Sequence, residues 1–203
     1  MKKISYNLRI GIVGNVNYNK TIFLTSIKDF VIKSEILSEI SVIKIVFKEI
    51  PINLIVFLSE SLEDLVNNYA KIENLNVIIF TVDLRNLKSM KQYEKDLIDK
   101  FHEIYSFQGI SMLVGLNLKQ ILKNKISKKL KVSRFTLEDT AKYLNLIYCY
   151  EIYNKAEDII EIYNKILNDF LFRFRYSSPE SFTQARIYGR NLLKEYNIQF
   201  RES

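Results

Sequence analysis

The chain has 203 residues, 48% hydrophobic and 26% charged, which bounds it to one domain plus an extension and excludes long disorder, collagen and coiled coil. Thirty lysines and arginines against 23 acidic residues give a net charge of +7, too moderate a field to argue by itself for nucleic acid. A single cysteine, Cys149, and a single histidine, His102, exclude a disulfide framework and any cysteine- or histidine-built metal centre. The N-terminus lacks the apolar run of a signal peptide, no stretch approaches a membrane span, and the C-terminus carries no prenylation cysteine. These features lead us to expect no transmembrane or lipid anchor and a cytoplasmic location.

In chain order, residues 7–13 read as a strand that stops at Gly14. A helix is expected over 20–33, with Phe23, Ile27, Phe30 and Val31 on one face. Residues 41–47 and 53–58 read as strands joined across Pro51, hence an antiparallel pair. After a helix over 61–71, the unbroken apolar run 76–82 has the pattern of a strand buried on both faces. A long helix over 87–105, a strand over 110–114, a helix near 137–143, a strand over 146–150 and a helix over 157–170 complete the alternation. The order predicts an α/β domain over 1–171, doubly wound around a mostly parallel six-stranded sheet with one antiparallel edge hairpin. Residues 172–203 form a C-terminal helical extension: Ser178 and Pro179 signal a helix start, and Phe182, Ala185, Tyr188, Leu192 and Tyr196 recur at helical spacing. That helix is expected to dock, because Phe182, Tyr188, Leu192, Leu193 and Tyr196 would otherwise expose an apolar stripe.

Between the first strand and first helix lie Gly14, Asn15, Val16, Asn17, Tyr18, Asn19, Lys20 and Thr21. Against the phosphate-loop pattern G-x-x-x-x-G-K-[ST], Gly14, Lys20 and Thr21 match at the right spacing and Asn19 replaces the second glycine. Such loops converge backbone N–H groups on an anion, bring a lysine to the outer phosphates and a hydroxyl to magnesium. Asparagine tolerates positive φ better than other side chains, so Asn19 is compatible with the turn. The same residues also read as a plain strand-to-helix turn.

The strand order, the loop and the domain length resemble the Ras-like small GTPases over about residues 6–171, with the Rab and septation-initiation branches nearest. Residues 77–86 look like that family's fourth strand, and 111–115 like its fifth. The resemblance implies a phosphate site at 14–21 with Thr21 as magnesium ligand. The place of N-K-x-D reads Leu116-Asn117-Leu118-Lys119 without a gap, or Asn117-Leu118-Lys119-Gln120 with one residue inserted, the latter giving a base site at Asn117 and Gln120. The departures are as informative. The third family strand ends in D-x-x-G, but here the place reads Phe57-Leu58-Ser59-Glu60-Ser61, leaving Glu60 as the local acidic candidate. No threonine occurs between Thr25 and Thr81 to serve the first switch, and the catalytic glutamine has no counterpart. Gln120 offers a neutral acceptor where guanine recognition uses a carboxylate.

Other features are less specific. Lys119 to Arg134 is lysine-rich, reading either as a face for an acidic partner or as a solvated connection. Phe170 to Tyr176 interleaves aromatics with arginines, suited to stacking on bases, to a membrane edge, or to covering apolar surface. Cys149 is expected as a small core residue and His102 at the surface. The expectation is therefore a pseudo-GTPase: a regulatory or scaffolding interaction module with protein partners, no catalytic residues, and at most weakly held GTP or GDP and Mg2+. The alternative is a divergent GTP-binding protein that still hydrolyses GTP.

Overall fold

A computed structural model of the chain describes residues 4–14, 21–27, 31–37, 40–68, 74–87, 90, 107–123, 131–153 and 155–196, with backbone alone for 31–37, 68, 120 and 123. The strands are β1 (Tyr6–Val13), β2 (Val31–Leu37), β3 (Ile40–Phe47), β4 (Ile50–Ser59), β5 (Val77–Asp83), β6 (Ile110–Leu116) and β7 (Tyr148–Glu151). The helices among the described residues are α1 (Ile22–Thr25), α2 (Leu62–Asn68), α3 (Leu118–Lys123), α4 (Arg134–Tyr143), α5 (Ala156–Ser177) and α6 (Pro179–Glu195). Most of the helix expected over 87–105, with His102, and residues 124–130 of the lysine-rich stretch lie outside the described residues.

The strands form one seven-stranded sheet in the order β2-β3-β4-β1-β5-β6-β7. Pairings from β4 through β1, β5 and β6 to β7 are parallel, while β2–β3 and β3–β4 are antiparallel. The doubly wound α/β architecture is thus present, and all six expected strands are in it. The seventh, β2, occupies residues expected to end the first helix. Val31 and Ile32 are β-branched and fit a pleated strand, and β3 would otherwise offer a row of unpaired backbone groups along its edge. The antiparallel margin is accordingly three strands wide rather than a single hairpin.

The hairpin turn between β3 and β4 is Lys48-Glu49, both with positive φ (46° and 67°), and not the neighbourhood of Pro51. Two left-handed residues are what a tight hairpin with right-handed strand twist requires. Pro51 instead lies inside β4 just before its ladder with β1 starts at Ile52.

Alternation within the strands divides the core between the two faces of the sheet. Ile10, Ile12, Leu54, Val56, Val77 and Ile79 pack with Phe23 of α1 and with Ile159, Ile162 and Ile166 of α5. Val13, Phe57, Ile78, Phe80 and Leu113 pack with Leu62 and Leu65 of α2 and Leu137 of α4 on the other face. β5 thus contributes to both, as its unbroken apolar run implied.

α5 continues to Ser177, and Pro179 at the first turn of α6 breaks it from the helix that follows. The docked face of α6 differs from expectation. Its buried residues are Ala185 and Gly189, with Phe182 half-buried beside Phe174, whereas Tyr196 is 52% exposed. Small residues let the helix axis approach the β3–β4 turn closely, which the large apolar residues could not.

Candidate functional site

α1 follows β1 onto one face of the sheet, α2 follows β4 onto the other, and β1 lies between β4 and β5. A crevice beyond the carboxyl ends of these strands is where doubly wound sheets take ligands. The sequence-selected loop begins there. Asn15, Val16, Asn17, Tyr18, Asn19 and Lys20 lie outside the described residues; Gly14 and Thr21, at its two ends, are described.

Gly14 ends β1 with φ 150°, and its N–H donates to the Ser59 carbonyl at 3.0 Å. A Cβ at this position would collide with Thr81 Oγ1 and lie 2.6 Å from the Thr81 carbonyl oxygen. Glycine is therefore demanded here by the close approach of β5 alone. Thr81 is buried and its hydroxyl donates to the Val13 carbonyl at 3.0 Å, tying the two strand ends together. Thr21 is exposed at the start of α1, where its carbonyl accepts from the N–H groups of Leu24 and Thr25.

At the end of β4, Ser59 stands where the resemblance would require an aspartate. Its hydroxyl donates to Asp64 Oδ2 at 2.7 Å, and the Asp64 N–H donates in turn to Ser61 Oγ at 3.0 Å. Asp64 is thereby turned back onto the strand end from the first turn of α2, a position with no motif signal in the sequence. Glu60, the acidic candidate read from the sequence, is exposed.

The ends of β5 and β6 carry a second network. Asn117 is 2% exposed with φ 70°, and its Nδ2 donates to Asp83 Oδ1 at 3.0 Å. Arg85 forks onto the same carboxylate, its Nε 2.9 Å from Oδ1 and its Nη2 2.6 Å from Oδ2. Burial alone would raise the Asp83 pKa, but hydrogen bonds from Arg85 and Asn117 and the Arg85 charge outweigh it and hold the carboxyl below its usual range. Asp83 and Arg85 escaped the sequence reading because an aspartate and an arginine two residues apart form no recognised pattern. Gln120 lies on α3, and its side chain, and with it the expected base-site pairing with Asn117, lies outside the described residues.

Among the described residues no group of three His, Cys, Asp or Glu side chains could hold a metal ion. Magnesium takes one or two protein carboxylates and keeps several waters; of the carboxylates here, Asp64 accepts from Ser59, and Asp83 from Arg85 and Asn117. Cys149, expected in the core, lies on the edge strand β7 and is half-buried; burial pushes its thiol pKa up to about 11, away from thiolate reactivity. Among the described residues no helix is long and apolar enough to cross a membrane. No protein-family model and no curated protein matches the chain.

Proposed function

We propose that this chain is a degenerate small-GTPase-like domain that works as a regulatory or scaffolding interaction module, binding guanine nucleotide weakly or not at all. One observation carries the reading: polar side chains at the crevice are committed to one another. Ser59 is bonded to Asp64, Thr81 to the β1 end, and Asp83 to Arg85 and Asn117. Phosphoryl transfer in such folds is almost entirely positioning and charge stabilisation by metal and side chains held ready for the substrate. A crevice whose carboxylates Asp64 and Asp83 already accept hydrogen bonds from within the chain offers less of either.

The test is turnover and bound nucleotide. Denaturing the purified protein and separating the supernatant by chromatography is expected to release no stoichiometric GDP or GTP. Multiple-turnover phosphate release is expected at background, and competition binding is expected to separate GTP from ATP by less than about 100-fold, or ~2.7 kcal/mol. GTP hydrolysis that Lys20→Ala abolishes would refute the proposal in favour of a divergent active GTPase.

A further inference from the structure

A cleft of about 620 Å³ lies between α5, α6 and the β3–β4 turn. The turn precedes β4, whose residue Ile52 pairs with Tyr6 at the start of β1, so the cleft sits at the opposite end of the sheet from the crevice. Its floor is apolar, made by Leu171 and Phe182, backed by the contacts of Phe174 with Tyr6 and Phe182. Its lining includes Lys48, Arg175, Arg186 and Arg190 and, among the described residues, no acidic side chain.

Behind the lining, Glu49 accepts from Arg190 Nε at 2.7 Å and from Arg186 Nε at 2.9 Å. One carboxylate thus offsets one charge and holds two guanidiniums in place, while their side chains stay 45% and 55% exposed. Among the described residues no carboxylate lies within ion-pair distance of Arg175. Large apolar side chains stand at the same mouth: Phe172 is 62% exposed, Tyr176 72% and Ile187 48%. Phe172 and Tyr176 contact each other with ring centroids 4.8 Å apart, one helical turn along α5.

We propose that this cleft binds an acidic amphipathic segment of a partner protein, with carboxylates on Arg175 and its neighbours and an apolar side chain between Tyr176 and Ile187. Charge complementarity selects the occupant: an uncompensated excess of cations attracts acidic groups, and guanidinium forks match carboxylates in two-point geometry. Shape selects a protein segment over a bilayer, since a concave cleft of this volume admits a few side chains but a flat headgroup surface meets only its rim. An amphipathic segment laid into a groove between helices satisfies both requirements at once. The assignment rests on the interaction-module reading for its biological sense, while the binding itself is independent of the crevice.

The experiment is selection of a random peptide display library on the full chain, followed by affinities of the enriched peptides for variants. Enriched peptides are expected to carry excess Asp and Glu with Leu, Phe or Trp. Their affinity is expected to fall with added salt and by about tenfold or more on Arg175→Glu and on Tyr176→Ala, but not on Lys142→Glu. Arg175, Tyr176 and Lys142 are exposed, and unchanged melting transitions will show that the variants fold. No enrichment, enrichment without acidic residues, or affinities unmoved by Arg175→Glu and Tyr176→Ala would overturn the proposal. Binding to phosphatidylserine vesicles that Arg175→Glu abolishes, without acidic peptides, would overturn it in favour of a lipid surface. Peptides that bind independently of the cleft would leave the interaction-module reading standing, whereas GTP turnover would remove that reading and leave the cleft untouched.

Discussion

Replacing Gly189 by alanine isolates the contact that holds α6 on the sheet. In an exposed helix interior this substitution stabilises by about 1 kcal/mol, because glycine loses more backbone entropy than alanine. Here the added Cβ would collide with the Glu49 carbonyl oxygen, 2.7 Å from its carbonyl carbon and 3.2 Å from Pro51 Cδ. Two of those three atoms are backbone, in a turn whose residues Lys48 and Glu49 both hold positive φ. That turn cannot move aside cheaply, because Glu49 is clamped by Arg186 and Arg190, and Lys48 Nζ donates to Asn168 Oδ1 at 2.8 Å. Relief must come from α6 lifting away and stretching the guanidinium forks. Overpacking costs about 1–3 kcal/mol, and a collision with clamped backbone falls in the upper part of that range, about 2–3 kcal/mol, so after the ~1 kcal/mol gain in helix propensity the expected net loss is about 1–2 kcal/mol. For a chain of this size that corresponds to a melting temperature lower by about 2–8 °C, measured by thermal circular dichroism beside denaturant unfolding. A Gly189→Ala protein that melts higher than wild type would show that α6 does not bear on the turn as described, and the docking argument would fall.

Three further outcomes follow from the same structure. The Tyr163 hydroxyl is buried and has no hydrogen-bond partner among the described residues, and burial pushes its pKa up; Tyr163→Phe is therefore expected to stabilise the fold by about 1 kcal/mol, and a loss in denaturant melts would reveal a hidden partner. The Glu49 pKa is lowered by hydrogen bonds from Arg190, against burial, and from Arg186; its contribution is present above the ordinary value of 4.5 and lost as pH falls through the folded value. Glu49→Gln should flatten the acid limb of the stability–pH curve, and a curve parallel to wild type would refute the clamp. Removing residues 177–203 uncovers Phe174 and the strained turn, so the truncated chain should melt lower or self-associate, and an unchanged monomeric transition would mark the extension as dispensable.

Much of the architecture is legible in the amino-acid order because it depends on local periodicity. The apolar run 76–82 could satisfy itself only between two layers, and β5 does contribute to both cores. Ser178-Pro179 could not continue a helix, and α5 and α6 part there. The loop ends Gly14 and Thr21 were found by spacing, although Gly14 has a steric reason of its own in Thr81, which no spacing reveals. Tertiary structure decided the rest. β2 is a strand because the edge of β3 was open to pair with it, while its local pattern also suits a helix. The strained Lys48-Glu49 turn, which lacks the usual asparagine or glycine, stands where two arginines 137 and 141 residues further along the chain clamp Glu49. Asp83, ion-paired with Arg85, also accepts from Asn117, 34 residues away, because the parallel pairing of β5 and β6 brings Asn117 against it. Periodicity and spacing report what a segment does with its neighbours in sequence; ion pairs, close backbone approaches and strand edges depend on partners that only the folded chain supplies.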